Sequence, residues 1–352
     1  MLRDPDFRCR DSENLQQLIP DWRSHPSLVQ VADWLLSLNG ARHARIRSLF
    51  SRTFTARRVA SLEPAIIAMA DKLLDAMADR GCDGGTVEFV HDFAYLLPVT
   101  VICELIGIPE QDRESFRPLA RDLARVFESS DESDTPVINA AAVELLAYFT
   151  GLAARRRAEP GGDLISSLLA AAGAGDGELA DAELLHNLTL LLVAGFETTT
   201  NLLGNGLQIL LHDPAEAAAL RSDAVRPAQF VEEVLRFDSP VQAASRLGYP
   251  SRIGVVDIAD GDRVMMLLGA GNRDPRRFAE PDSFRPLRPD GGSLSFGGGP
   301  HFCIGAALAR LEGRIAFLQL MTRFPALAPA GQPARRHSFL LRGFDALPVT
   351  IS

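Results

Sequence analysis

The chain contains few cysteines. Among its 352 residues there are four, Cys9, Cys82, Cys103 and Cys303, and no two of them form a CxxC pair. A zinc site or a disulfide framework needs closely spaced or regularly paired cysteines, so this sequence predicts neither. Widely separated single cysteines are typical of a reducing compartment, in which each one remains a free thiol.

Long hydrophobic runs and a secretory leader are also lacking. The N-terminus is charged and has no apolar core of the kind that a signal peptide carries. The longest apolar runs, residues 96–108 and 188–196, are interrupted by Pro98 and Glu104 or ended by Glu197. Neither run reaches the length of a membrane span, so we expect a cytoplasmic protein with no membrane segment.

The chain also lacks an excess of basic charge, and its aromatic residues are scarce. The net charge is −9, no basic tail or stripe is present, and nucleic acid is therefore not expected as a partner. Aromatic residues make up 7% of the chain, whereas hydrophobic residues make up 47%, enough for a large buried core. Alanine, leucine and arginine are abundant, and these residues favour helices.

Helical periodicity dominates between Ala41 and Phe237. The predicted helices span residues 59–78, 99–108, 113–127, 138–155, 164–172, 181–212 and 227–237. We expect Pro64 to break or kink the first helix and Asp181 to cap the long one. Residues 159–162 and 174–177 are predicted turns, because glycine punctuates both.

The pattern changes after Pro240. Residues 251–258 and 263–268 are rich in β-branched residues and predict short strands, and residues 338–351 predict a terminal hairpin. A loop over residues 274–299 precedes a final helix at 304–324. The expected fold is mainly α with a minor β-sheet, in one domain over residues 1–352, because no clear boundary for a second domain occurs.

The segment from Phe296 to Gly305, FGGGPHFCIG, has the strongest chemical signal. Its glycines allow tight turns and close approach to a flat partner. Cys303 comes just before a predicted helix, whose first amides favour thiolate over thiol, and thiolate is the form that binds iron. From these residues alone, a phosphate-binding loop or a buried inert cysteine remains possible, although the Gly-Lys-Ser/Thr of a Walker loop is absent.

The spacing Phe296-x-x-Gly299-x-His301-x-Cys303-x-Gly305 resembles the haem-binding signature of the cytochrome P450 family at every specified position. The resemblance implies the cytochrome P450 fold and haem b, iron protoporphyrin IX, as cofactor. It also implies that Cys303 is the proximal metal ligand, that His301 contacts a haem propionate and that Phe296 packs beside the sulfur. Gly305 leaves room next to that sulfur.

Glu233-Val-Leu-Arg236 resembles the ExxR element of the same family. Residues at i and i+3 share a helix face and can pair, although an exposed salt bridge would give the same pattern. The family often adds an arginine in a Pro-x-Arg-Phe segment, where this chain has Ser283. Either Arg285 or Arg288 could take its place, and the sequence leaves that choice open.

Two more groups of residues fit the resemblance. His43 and Arg47 stand at i and i+4, share a helix face and could grip one anion. The resemblance implies that they bind the haem propionates together with Arg246, which follows Ser239-Pro-Val-Gln242. Without it, the segment would be interpreted as a solvated basic helix.

The predicted long helix contains Ala194-Gly-Phe-Glu-Thr-Thr199, which matches the oxygen-binding pattern of the family. The small residues Ala194 and Gly195 would let the helix pass close over a flat cofactor. The resemblance implies that Thr198 holds dioxygen in a local opening of the helix, and that Glu197 relays protons from solvent. An acid at the end of so apolar a run is costly to bury, which also indicates a role.

The implied function is a monooxygenase that inserts one oxygen atom from dioxygen into a lipophilic small molecule, by hydroxylation or epoxidation, in natural-product tailoring. No flavin or nicotinamide fingerprint is present, so a separate ferredoxin and its reductase would supply electrons. A peroxide-using haem enzyme and a non-catalytic binding module of the same fold are the alternatives. We expect a basic docking face and an apolar pocket. The docking face would comprise Arg52, Arg57, Arg58, Arg310 and Arg314; the pocket would comprise the segment before His43, Val193, Phe196, residues 241–244 and residues 339–340.

Family members usually carry several dozen more residues before the segment Leu2-Arg-Asp-Pro-Asp-Phe7. The resemblance therefore implies that the usual N-terminal segment is lacking and that the N-terminal sheet region is incomplete.

Overall fold

The computed structural model describes residues 1–127, 132–173, 180–289 and 291–351. It is mainly helical with small sheets, as the sequence predicts. The helices in chain order are α1 Ser12–Leu18, α2 Pro26–Asp33, α3 Gly40–Thr53, α4 Ala56–Ser61, α5 Glu63–Arg80, α6 Leu96–Ile106, α7 Glu110–Ala124, α8 Thr135–Ala158, α9 Leu164–Gly173, α10 Asp181–Leu210, α11 Pro214–Ser222, α12 Arg226–Phe237, α13 Leu268–Gly271 and α14 Ala306–Arg323.

Most predicted helices are confirmed, with shifted ends. The exception is residues 59–78, which belong to two helices, because Pro64 lies in the first turn of α5, where its missing N–H is not needed. Ala180, rather than Asp181, is the N-cap of α10, and Glu183 accepts the Ala180 N–H at 3.3 Å. The turn at residues 159–162 separates α8 from α9, whereas the one at 174–177 lies outside the described residues.

The strands are short. They are β1 Thr86–Glu88, β2 Ala243–Leu247, β3 Ser251–Ile253, β4 Val256–Ile258, β5 Arg263–Leu267, β6 Ala328–Pro329, β7 Ala334–Arg335, β8 Phe344–Ala346 and β9 Pro348–Thr350. In the described residues they pair antiparallel in the orders β1-β9-β6, β2-β5, β3-β4 and β7-β8.

Two strand predictions were wrong. Residues 251–258 form a hairpin rather than one strand, because Gly254 takes a positive φ of 61° between β3 and β4. The predicted terminal hairpin at 338–351 does not form either. β8 pairs with β7, and β9 pairs with β1 and β6, so β8 and β9 do not pair with each other. Alternation within a segment cannot reveal which distant strand it will pair with.

One hydrophobic cluster of buried residues extends from Trp34 to Ile351 and includes side chains of α10, α12 and α14. α10 lies inside it and packs against α6, α8 and α14, while α14 also packs against α5 and α12. These helices place the segment 194–198 and the start of α14 in the interior of the molecule, where a functional site can be shielded from water.

Helix α8 is the one helix in the described residues that is long and apolar enough to cross a bilayer by length and composition. The sequence analysis did not single it out. Its inner face, including Leu145, Phe149 and Leu152, is buried in the hydrophobic cluster. A core helix passes the same test of length and composition, so this feature is weak evidence for a membrane span.

A buried carboxyl on α14 makes stability depend on pH. Glu312 is 1% exposed, its Oε2 has no hydrogen-bond partner among the described residues, and burial raises its pKa to about 8 from an ordinary value of 4.5. Between these two pH values the folded chain holds a proton that the unfolded chain has released. Stability should therefore fall as pH rises from about 4.5 to about 8, and stay level above that.

We predict that Glu312→Gln, which keeps the shape and removes the charge, raises the melting temperature at pH 7.5 and leaves it nearly unchanged at pH 5. The gain at pH 7.5 should correspond to roughly 2–3 kcal/mol. Scanning calorimetry at both pH values measures it, with Glu110→Gln on the exposed start of α7 as control. Equal effects of Glu312→Gln at both pH values would contradict the burial of an unpaired acid.

Candidate active site around Cys303

The segment before α14 folds into a tight loop that presents Cys303. Gly297 and Gly299 take positive φ angles of 69° and 65°, and the Cys303 N–H donates to the Phe296 carbonyl at 2.9 Å. A Cβ on Gly299 would lie 2.3 Å from the Leu2 carbonyl oxygen, so only glycine fits there. The glycines of the motif are thus required by this turn and by the N-terminal segment packed on it.

The surroundings of Cys303 are suited to a bound thiolate. Burial raises the pKa of the thiol, while the amides of Gly305 and Ala306 and the charges of Arg47 and Arg310 lower it. Yet the residue is exposed. The burial that raises the pKa and the exposure of the residue are compatible if the sulfur faces a cleft enclosed by protein. Burial has the largest effect on this pKa, and a cation bound to the sulfur would favour the thiolate.

Basic and imidazole side chains gather near this cysteine. The rings of His43 and His301 lie 4.2 Å apart, and the Arg47 side chain donates to the Phe302 carbonyl at 2.7 Å. Arg246 lies on β2 and donates to the Ser245 carbonyl at 2.9 Å. The structure therefore brings together four of the residues that the sequence analysis assigned to the propionates.

The electrostatics of this group favour an anion. Burial, then Arg47 and Arg246, lower the pKa of His43, and the pKa of His301 falls to about 3 through burial, His43, Arg246 and Arg47. Neither arginine forms a salt bridge with a carboxylate of the described residues, and the buried Nε2 of His43 has no hydrogen-bond partner there. A negatively charged group in the cleft would compensate these charges.

One neighbour of this group was missed by the sequence analysis. Cys9 is buried, and its Sγ lies 3.4 Å from His301 Nε2. Burial raises the pKa of the Cys9 thiol, so it is a neutral contact that supports the imidazole. No local pattern around Cys9 could have indicated a contact with a residue so distant in the chain.

The ExxR element holds the loop that leads to Cys303. Arg236 pairs with both carboxylate oxygens of Glu233, at 2.9 and 2.7 Å. It also donates to the carbonyls of Asn272, Pro281 and Ser283 at 2.8–3.0 Å. An exposed salt bridge is thereby excluded, because both side chains are buried.

Arg288 takes the place of the missing meander arginine. Its side chain is 4% exposed, and its Nε lies 3.2 Å from both oxygens of Glu233. Arg285 gives only its backbone N–H to Glu233, at 2.8 Å, while its side chain pairs with Glu280 in an exposed position. The choice left open by the sequence is therefore settled by burial.

The middle of α10 carries two small residues. Ala194 and Gly195 are half-buried, whereas most residues around them are buried. A Cβ on Gly195 would lie 2.9 Å from Ile102 of α6, so its lack of a side chain serves helix packing. The hydroxyl of Thr198 donates to the Ala194 carbonyl at 3.1 Å, a bond that bends helices. α10 stays helical through this segment.

Glu197 is buried and turned toward the C-terminal part of the chain. Its Oε2 lies 2.5 Å from Nη1 of Arg336, which follows β7. The sequence analysis identified the acid and missed its partner. Arginines at residues 335, 336 and 342 gave no periodic signal that would single one of them out.

The expected pocket and docking residues are only partly accessible. Val193 and Phe196 are fully buried, and Phe196 packs against Tyr95, so these two do not line an open cleft. Phe339 is 67% exposed and remains available. Of the docking arginines, Arg52 and Arg57 are exposed. The other three bind within the molecule: Arg58 to Ser167 and Gly162, Arg310 to Glu232, and Arg314 to Glu63.

Comparisons with known proteins agree with this geometry. A family model described as Cytochrome P450 matches residues 227–343. The chain is 41% identical over 347 residues to Cytochrome P450 107B1 of Saccharopolyspora erythraea, which covers 97% of this chain and 81% of that protein. It is 39% identical over 313 residues to the 6-deoxyerythronolide B hydroxylase of the same organism, with 88% and 76% covered.

A solved structure agrees as well. P450BioI, in complex with an acyl carrier protein ligated to hexadec-9Z-enoic acid, matches with a TM-score of 0.91 at 35% identity, over 100% of this chain and 89% of that one. This chain belongs to the cytochrome P450 family. It is an oxidoreductase of the monooxygenase class, and haem, iron protoporphyrin IX, is the cofactor of the family.

The residues around Cys303 fit this cofactor. A porphyrin supplies four ligands to its own iron and needs one from the protein on the proximal side. Within the described ranges, no cluster of three His, Cys, Asp or Glu could hold a metal alone, whereas Cys303 is a free, surface-accessible cysteine that offers a single sulfur. The uncompensated charges of Arg47 and Arg246 and the unpartnered Nε2 of His43 suit the propionates.

The contribution of the buried Arg288 to stability can be compared with that of the exposed Arg285. We predict that Arg288→Gln lowers the free energy of unfolding by roughly 2–4 kcal/mol, because it breaks a buried charged network. Arg285→Gln should stay within about 0.5 kcal/mol of the parent, because its ion pair is exposed. Urea denaturation of both variants measures the difference, and similar losses for the two would refute the assignment of Arg288.

Proposed function

We propose that this cytochrome P450 uses Cys303 as the proximal ligand of its haem iron and inserts one atom of dioxygen into a lipophilic small molecule. The observation that carries the proposal is the surface-accessible Cys303, whose sulfur is largely surrounded by protein and lies near Arg47 and Arg310. The expected outcome is hydroxylation or epoxidation. Haem, when bound, supplies the activation of dioxygen, and thiolate ligation favours cleavage of the O–O bond.

Different residues around Cys303 would hold different parts of the cofactor. The amides of Gly305 and Ala306 stabilise negative charge on the sulfur, and Arg310 stacks over the Phe296 ring at 4.5 Å. His43, Arg47, Arg246 and His301 would bind the propionates. Phe296, whose carbonyl accepts the Cys303 N–H at 2.9 Å, would pack beside the sulfur and shield it from water.

Two residues of α10 serve the distal side. Thr198 offers a hydroxyl that can turn from the Ala194 carbonyl into the cleft and donate a hydrogen bond there. Glu197 offers a carboxylate that exchanges protons with solvent. The acid and the alcohol follow each other on α10, and neighbouring side chains of a helix point in different directions, so a bridging water would carry the proton between them.

Electrons would come from a ferredoxin and its reductase. The exposed Arg52 and Arg57 and the exposed ring of Phe302, next to Cys303, suit an acidic partner with an apolar centre. Such a supply belongs in the cytoplasm, which we propose as the location. The burial of the inner face of α8 supports this location.

The substrate class follows from the relatives and from the cleft. One relative is named for hydroxylation of 6-deoxyerythronolide B, and a matching structure holds a fatty acid on an acyl carrier protein. Exposed apolar side chains such as Phe339 and Leu36 suit a molecule of this kind. We therefore propose a lipophilic intermediate or product of natural-product biosynthesis.

The proposal is tested with 6-deoxyerythronolide B and hexadec-9Z-enoic acid, the latter both free and attached to an acyl carrier protein. NADPH, ferredoxin and reductase are supplied under ¹⁸O₂. We expect a product that carries one ¹⁸O atom. Turnover with hydrogen peroxide but not with ferredoxin would indicate the peroxide-using enzyme instead, and bound haem without turnover by either route would indicate a binding module.

Thr198 can be compared with a matched threonine. We predict that Thr198→Ala lowers the product formed per NADPH about tenfold, because the hydroxyl that faces the cleft is lost. Thr200→Ala should keep the parent ratio, since the buried Thr200 hydroxyl donates to the Phe196 carbonyl at 2.9 Å and faces the core. If Thr198→Ala formed as much product per NADPH as the parent protein, the proposed role of Thr198 would be excluded.

A further inference from the structure

One face of α10 is polar although it is buried. Glu197, Asn201 and Asn205 stand at i, i+4 and i+8, so they lie one above another on the same face. All three are buried. Buried polar side chains in an apolar helix are costly unless they are hydrogen-bonded, so this face calls for polar partners at its two ends, while the buried Nδ2 of Asn201 has none among the described residues.

The C-terminal segment 334–346 provides these partners. Arg336 pairs with Glu197, and Arg335 donates to Asn205 Oδ1 at 3.1 Å. Asn205 in turn donates to the carbonyls of Arg342 and Asp238, at 3.0 and 2.9 Å. The segment therefore lies along the polar face and is fastened at both ends.

The backbone of this segment fixes the position of Arg336. Its N–H donates to the Gly343 carbonyl at 3.2 Å, which joins the two arms of the segment. A Cβ on Gly343 would lie 1.9 Å from Asn201 Oδ1, so the glycine lets the segment approach the helix closely. The backbone of Arg336 is thus held in place beside α10, and its side chain extends from there to Glu197.

Burial decreases from the acid to the arginine. The Glu197 side chain is 8% exposed and that of Arg336 is 21% exposed. Arg336 therefore marks the end of the pair that is nearest to solvent. A carboxylate this deeply buried is stable in its charged form only with such a partner.

We propose that Arg336 is the positioning residue of Glu197. It keeps the carboxylate charged and directed toward the solvent end of the polar face, where the acid takes up protons. Glu197 then passes them toward Thr198, its neighbour in the chain. This assignment rests on the proposed function, because it gives Glu197 its role as proton relay.

The pairing is tested by stability, without turnover. In the haem-loaded protein, Arg336→Gln should lower the melting temperature by roughly 2–5 °C, because the buried Glu197 loses its ion pair with this arginine. Adding Glu197→Gln should recover at least half of that loss. Additive losses in the double variant would overturn the pairing.

The positioning role is tested by NADPH consumption with a plant-type ferredoxin and its reductase, with and without hexadec-9Z-enoic acid. Arg336→Gln should lower kcat about tenfold, leave the KM for ferredoxin unchanged and increase the solvent isotope effect in D₂O, since proton uptake becomes limiting. Arg336→Lys should restore at least half of the rate, because it keeps the charge.

Arg335→Gln serves as the matched control. It removes the adjacent arginine of the same segment, so a similar loss of melting temperature with an unchanged isotope effect is expected. If Arg336→Gln had the same kcat and the same solvent isotope effect as the parent protein, the positioning role would be overturned. A parent protein that consumes no NADPH in any condition would count against the proposed function, while the melting temperatures would still report on the pair.

Discussion

The arrangement depends on one interaction, the stabilisation of negative charge on the sulfur of Cys303 in an enclosed cleft. Burial alone favours the neutral thiol, and the nearby amides and arginines offset only part of that cost. A metal centre bound to the sulfur, as proposed, would supply the missing positive charge. The basic groups on the same side, with no carboxylate paired to Arg47 or Arg246 in the described ranges, need an anion equally, and a haem with two propionates satisfies both demands.

The rest of the fold keeps that sulfur in place. Glu233, Arg236 and Arg288 form a buried network that ties α12 to the loop ahead of Cys303. Each charge in it has hydrogen-bonded partners, so the network is rigid, and its loss would leave charges without compensation. On the opposite side, α10 carries small residues and Thr198 over the cleft. The C-terminal segment holds the buried Glu197 through Arg336, so the proposed proton relay would be supported by a different part of the chain from the one that holds Cys303.

The sequence predicted what is local. A contiguous motif located Cys303 and its glycines, helix periodicity located α10, and the resemblance to the cytochrome P450 family singled out Glu197 and Thr198 on it. The remaining features depend on distance in three dimensions. Contacts between separate segments of the chain decide whether Arg285 or Arg288 replaces the meander arginine. Such contacts also decide which arginine pairs with Glu197 and how β8 and β9 pair. Val193 and Phe196 were misassigned to the pocket because periodicity gives a buried face without saying what that face meets.

The most direct measurement is the absorbance spectrum of the reduced, carbon monoxide-bound protein, recorded for the parent, for Cys303→Ser and for Cys103→Ser. Cys103 is buried on α6 and burial raises the pKa of its thiol to about 12, so it is a matched cysteine that cannot act as a ligand. A strongly red-shifted Soret band in the parent and in Cys103→Ser, and its loss in Cys303→Ser, are the predicted results. The same red-shifted band in Cys303→Ser would contradict the account.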